Sequence, residues 1–199
     1  MLLWSSFSMY VLDLFRRLES AMNSYYMELS DREIGEQSRY LCYYYIEARF
    51  ARSDLCLYKG KNKMPEKWER FEARCSQDVL DTLCEMGELL EKTYPLVFNN
   101  VVEQLNFHLI LELVVCDVFN RVCDQIIVSG INWAKIVALY AFAGSLALDC
   151  TKYGDARLVK LVSKWMARFT TTRLSPWIRQ HGGWVRTFVN FIFFFSTCN

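Results

Sequence analysis

Along this chain the apolar positions recur every three to four residues over long stretches, which is the spacing of amphipathic helices rather than of strands. Phe7, Val11, Leu14, Phe15 and Leu18 mark a first helix reaching about Asn23. Asp31 can cap the next, with Ile34, Leu41, Tyr45 and Phe50 inward and Arg32, Glu36, Arg39 and Glu47 outward. "YKGKNKMPEKWE" at 58–69 reads as a polar loop. A third helix is predicted from about Glu72 to Thr93, ahead of Pro95, and a short fourth from Leu96 to about Leu105. A fifth covers Phe107 to Val128, with Leu109, Leu113, Val114 and Val118 as its core side. Ser129-Gly130 breaks the chain before a helix from about Trp133 to Lys152. Asp155 caps another that reaches about Thr172, and Ser175-Pro176 has the form of a fresh helix start. Gly182-Gly183 stops that short helix, and a last one begins at Trp184.

The helix after Trp133 differs from the others. From Ile136 to Leu148 it is apolar on every side, the pattern of a bundle axis or a membrane segment. That run is about 20 Å long at 1.5 Å per residue, short of a hydrocarbon layer of roughly 30 Å. It therefore predicts a core helix, with Ala141, Ala143, Gly144 and Ala147 letting neighbours approach closely. The fold class is all-α. The chain divides into an N-terminal apolar and amphipathic segment, 1–30, and one helical bundle, 31–195.

Composition agrees: 53% of the residues are hydrophobic and only 3 Pro and 8 Gly interrupt the runs. The net charge of +1 hides an asymmetry. Residues 1–150 are net acidic, whereas 151–199 hold Asp155 as their single acid among eight Lys and Arg. Within that basic part Arg157, Lys160, Lys164 and Arg168 share one helix face, and Leu158, Leu161, Val162, Trp165 and Phe169 line the other. A cationic amphipathic helix can lie on an anionic membrane surface; it can equally pack its apolar face inward and solvate its charges, as is expected in the resting fold. The eight Cys show no CxxC spacing and lie in helical patterns, which suits buried reduced thiols. Two His without neighbouring ligands make a zinc site improbable. No nucleophile, metalloprotease or phosphate-loop motif is present, so the sequence predicts neither an enzyme nor a cofactor. The start lacks the features of a signal peptide, and "FVNFIFFFSTCN" at the end holds about ten apolar residues against the roughly 20 of a complete transmembrane anchor.

Surfaces must then carry the function. In "SQDVLDTLCEMGELLEKT", Val79, Leu83, Met86 and Leu90 fall at i, i+4, i+7 and i+11, with Gly87 and Glu88 beside the stripe. A glycine inside a helix costs about 1 kcal/mol and admits a close neighbour. The spacing suits a helix that docks in a partner's groove, and also an ordinary amphipathic core helix.

The series "LCEMGELLE", "SGINWAKIVALYAFAG" and "SPWIRQHGGW" resembles, in order, the third, first and second homology motifs of the Bcl-2 family of apoptosis regulators. "DREIGEQSRYLCYYYIEARF" is similar to the helix that carries its fourth motif. "YPLVFNNVVEQL" and "AFAGSLALDC" look most like the Bok-type branch, and the resemblance spans about Asp31 to Phe191. It implies a bundle of about eight helices around a hydrophobic central hairpin. It implies a partner-binding groove involving Asn132, Trp133, Lys135 and Val137, with Phe98, Val118 and Phe119 as wall residues. Val79, Leu83, Met86, Gly87, Glu88 and Leu90 would be the ligand helix presented to others. The implied partners are other Bcl-2-family proteins and their amphipathic helices, with a homo-oligomer and an anionic membrane surface besides, and no nucleic acid. The implied function is Bok-like promotion of apoptosis through membrane permeabilisation, or alternatively survival-type sequestration of partner helices. The implied location is cytoplasmic, with reversible association to mitochondrial or endoplasmic-reticulum membrane. Two departures stand out: the family's usual Gly-Asp pair is Gly87-Glu88, and its groove arginine is Lys135. Lysine keeps the charge but not the planar fork, so weaker and less discriminating recognition of partner helices is expected.

Overall fold

The computed structural model describes residues 29–53, 77–104, 111–155 and 157–184. Among these, every regular element is helical: α1 (Asp31–Arg52), α2 (Gln77–Thr93), α3 (Pro95–Phe98), α4 (Val101–Gln104), α5 (Glu112–Ile127), α6 (Trp133–Lys152), α7 (Arg157–Phe169) and α8 (Ser175–Gln180). The expected first helix, the 58–69 loop, Leu109 and the last helix beyond Trp184 lie outside the described residues.

α6 is the axis. Ile136 and Val137 are buried, and so is every residue from Leu139 to Cys150. Its N-cap is Asn132, whose Oδ1 accepts the Lys135 N–H at 2.9 Å. The helix runs past both ends of the apolar stretch to 20 residues, about 30 Å at 1.5 Å per residue. Its bounds are those expected, and although by length and composition it is long and apolar enough to cross a membrane, here it is mostly buried in protein, as a core helix. α1, α2, α5 and α7 pack around it.

α7 turns back from α6 through Gly154 and lies on α1 and α6. Leu158, Val159, Val162, Trp165, Met166 and Phe169 are buried, while Arg157, Lys160, Lys164 and Arg168 are exposed. The resting arrangement is thus apolar face inward, charges to water. A buried hydroxyl cluster ties three elements together: Ser38 Oγ lies 2.9 Å from Tyr140 OH and 2.7 Å from Thr170 Oγ1.

Three local readings need correction. Ser30, not Asp31, caps α1, in a reciprocal box in which Ser30 Oγ accepts the Glu33 N–H and Glu33 accepts the Ser30 N–H. Asp31 instead pairs with Arg179, and the Ser175 hydroxyl and that guanidinium hold its carboxyl below the usual range. Ser175-Pro176 does not start a separate helix: a π turn over Thr170–Leu174 joins α7 to α8 without a break. Pro176 has no N–H for the preceding turn, and the hydroxyls of Thr171, Thr172 and Ser175 bond back to the carbonyls of Ala167, Arg168 and Thr171; such wide turns absorb lost ladder bonds. Finally, the predicted fourth helix is two short ones, α3 and α4, split at Asn100, whose φ is +53°.

Candidate functional site

α2 is amphipathic, and its stripe divides along its length. Val79 and Leu83 are 2% and 0% exposed, within the core. Met86 and Leu90, further on, are half-buried and line a cleft between the end of α2 and the first turns of α6. Leu89, Thr93, Tyr94, Ala134 and Val137 complete this cleft, which encloses about 350 Å³. That is the low end of the roughly 300–1,000 Å³ usual for ligand cavities. Two of its lining residues, Leu89 and Tyr94, are more than half exposed, so the cleft opens to solvent through apolar side chains.

Gly87 explains how α2 sits so near α1. A Cβ there would lie 2.2 Å from the Tyr45 hydroxyl and 2.4 Å from its ring. A Cβ on Gly144 would meet the other edge of the same ring at 2.8 Å. Tyr45 is therefore clamped between α2 and α6 at two positions that lack a side chain. Its hydroxyl donates to Glu91 Oε1 at 2.5 Å, and burial beside that carboxylate pushes its ionisation well up. Glu91 also pairs with Arg49, and Arg49 donates to the Phe98 carbonyl at 3.3 Å. Arg52 reaches Glu88 at 3.4 Å and Glu91 at 3.7 Å. Glu88 accepts from Lys92 at 2.6 Å, and these cations hold its carboxyl low. The outer side of α2 is thus bound to α1 by a polar latch, beneath which its apolar stripe is sealed.

The groove residues named from sequence separate accordingly. Val137 lines the cleft. Asn132 is spent on capping α6. Trp133 packs edge-on to Trp177 at 4.5 Å and beside Trp184. Lys135 Nζ donates to Ser129 Oγ and the Gly130 carbonyl at 2.6 and 2.7 Å, closing the turn before its own helix. Phe98 and Val118 are not among the cleft's lining residues. Phe119 is a core side chain: it is 0% exposed and stacks on Phe142 at 5.8 Å. The core side of α5 is Val115, Phe119 and Cys123. Leu113 and Val114, expected inside, are 83% and 42% exposed because they fall off that i, i+4, i+8 line. Sequence reasoning missed Leu89, Tyr94 and Ala134 in the cleft, and Tyr45, Arg49 and Glu91 in the latch. The available signal was Arg49 four residues after Tyr45, matched by Glu91 four residues after Gly87.

A profile of the Bcl-2 family, described as apoptosis regulator proteins, matches residues 83–184. The chain belongs to the Bcl-2 family. Among relatives, Bcl-2-related ovarian killer protein homolog B of Danio rerio is 35% identical over 156 residues, covering 78% of this chain and 72% of that one. The Homo sapiens Bcl-2-related ovarian killer protein is 32% identical over 163 residues, 82% and 74% of the two chains. In structure, chicken BOK superposes with a TM-score of 0.67 at 31% identity, over 80% of this chain and 96% of that one. A Trichoplax adhaerens protein, trBcl-2L2, solved bound to a trBak BH3, gives 0.64 at 26% identity, over 79% and 98%. The chain is a Bok-related apoptosis regulator with an all-α fold around the α6–α7 hairpin.

Proposed function

We propose that this protein promotes cell death by exchanging its own α2 between two environments. At rest, Val79 and Leu83 are sealed in the core and the latch to α1 covers the far side. On activation at an organelle membrane, α2 undocks, its stripe is presented to a family partner or a second copy, and the α6–α7 hairpin trades protein neighbours for lipid. The observation that carries this reading is the division of α2: half its stripe is core, half lines a cleft that opens through apolar side chains, and beside the stripe Gly87 and two carboxylates fix the helix to α1. Arg157, Lys160, Lys164 and Arg168 would meet the anionic surface of mitochondrial or endoplasmic-reticulum membrane, reversibly, from a cytoplasmic pool.

A survival-type reading is favoured by the open apolar cleft, which a partner helix could occupy, and by the neighbour trBcl-2L2, which was solved bound to trBak BH3. Dye release from vesicles of mitochondrial lipid composition separates the two. Leakage on adding the purified chain, increased by a peptide of another family member's third-motif helix, is the expected result. No leakage, with suppression of leakage caused by a second family effector, would overturn it in favour of sequestration.

A further inference from the structure

A second cavity, of about 420 Å³, lies where the start of α5 meets the first turns of α7, and it shares no lining residue with the α2–α6 cleft. Leu111, Leu158 and Leu161 give it an apolar lining, and Arg157, Lys160 and Lys164 bring three cations to it. Two acids are also present, Glu112 and Asp155. Asp155 is already engaged: its two oxygens accept Nε and Nη2 of Arg157 at 3.0 and 3.1 Å, and this pairing holds its carboxyl below the usual range. That pair is neutral as a unit. Lys160 and Lys164 remain, both exposed, and no carboxylate among the described residues comes within 4.0 Å of either ammonium. Beside them Leu111 is 56% exposed. Glu112 offsets part of this charge and leaves the lining with one net positive charge; two ammonium groups outside any ion pair beside a leucine-lined hollow suit a molecule with an anionic head and a hydrocarbon body, along which lysine stems pack well.

We propose that this hollow binds one anionic phospholipid, its phosphate between Lys160 and Lys164 and the upper part of an acyl chain against Leu111, Leu158 and Leu161. The proposal rests on the membrane reading above and deepens it: two lysines and a cavity, rather than a four-cation face, select the lipid. A diffuse basic face and a discrete site make different demands on the same number of charges. Near an anionic surface each basic residue contributes roughly 1 kcal/mol, so removing any two from a diffuse face lowers binding about thirtyfold.

The test is co-sedimentation of the full chain with vesicles of phosphatidylcholine, alone or mixed with phosphatidic acid. The Lys160→Gln/Lys164→Gln variant is compared with Leu111→Gln, which keeps every charge and alters an exposed apolar lining residue of the cavity. Thermal melting of both variants checks their folding. For a discrete site, the lysine pair loses on the order of thirtyfold in affinity for the phosphatidic-acid vesicles, and Leu111→Gln, with the charge unchanged, loses on the order of fivefold. Parent-like binding by Leu111→Gln, or no loss in the lysine pair, overturns the proposal. Complete displacement from vesicles by equimolar glycerol phosphate also overturns it, because the hollow would then be reading a phosphate and not a lipid. If the lysine pair binds vesicles like the parent and the parent still releases dye, the site fails while the pore-forming reading stands. If both variants show their expected losses but the parent releases no dye, the reverse holds.

Discussion

Arg49 and Glu91 are both largely buried, with side-chain exposures of 8% and 14%, so neither tolerates losing the other. Removing one member of a buried pair leaves an uncompensated charge and commonly costs about 3–5 kcal/mol, whereas replacing both with apolar groups of similar size is often neutral. Glu91→Gln is therefore expected to lower the urea midpoint and loosen α2, and Arg49→Met with Glu91→Leu to recover only part of the loss, because the Tyr45 hydroxyl and the Phe98 carbonyl then lack their partners. Equal damage from the double replacement would mean that the latch works through shape and not charge. At the start of α6, Lys135 holds its own turn through two hydrogen bonds, with which any partner carboxylate would have to compete. Lys135→Arg is expected to tighten a third-motif peptide about fivefold through a two-pronged contact, as read by fluorescence anisotropy; unchanged affinity would show that the position is not used for partners. Thiols set an alkaline limit. Burial pushes Cys84 up to about 11, Cys150 up to about 12, and Cys42 and Cys123 well above the ordinary value of 9.0. The folded state keeps these protons while the unfolded chain releases them, so their contribution is intact below pH 9 and falls as pH rises above it. Denaturant midpoints at pH 8 and pH 10 should differ in that sense, and a flat profile would contradict the burial of these groups.

At the scale of elements, α2 depends on α1 more than on its own propensity. Gly87→Ala gains about 1 kcal/mol of helix preference but drives a methyl group into the Tyr45 ring, where overpacking commonly costs 1–3 kcal/mol. A lower melting temperature and faster amide exchange across 77–93 are expected; a stabilised protein would show that Tyr45 moves aside easily. Much at this scale was legible in the sequence. The helical periods placed α1, α2, α5, α6 and α7, because each has a long apolar stripe that only a core can satisfy. The axis role of α6 followed from its all-round apolarity, and the burial of α7 from its two unlike faces. The misreadings share a cause: they concern choices that tertiary contact makes between locally equal options. α5 carries two apolar lines, and only its neighbours choose Val115, Phe119 and Cys123 over Leu113 and Val114. Ser175-Pro176 has the chemistry of a start, yet the hydroxyls of a threonine run let the helix widen and continue. The latch went unread because its signal, the matched four-residue spacings ending at Arg49 and Glu91, gains meaning only once two helices about forty residues apart in sequence are brought together. The cleft was half legible, since Met86, Leu90 and Val137 follow from the stripe and the first motif, whereas Leu89 and Tyr94 lie off every periodic line.

For the whole molecule the question is what opening costs. Exposing Val79, Leu80 and Leu83 forfeits roughly 1.5–3 kcal/mol apiece, and the latch adds to that, a total comparable with the 5–15 kcal/mol that stabilises an entire domain. The closed form is thus the stable one in water, and undocking requires a second place to bury the same side chains. Under the proposed function a partner groove or a membrane would supply it, and α6, long and apolar enough by length and composition, would exchange neighbours at similar apolar cost. The claim at the centre is that α2 must leave α1 and α6 before membranes are breached. Hydrogen–deuterium exchange of the purified chain, followed over 77–93 while dye release from mitochondrial-composition vesicles is recorded in parallel, tests it most directly. The account predicts protected α2 amides in buffer and loss of that protection, with loss of protection in α1 over 40–52, at or before the onset of leakage. Leakage with α2 still protected against α1 would contradict it.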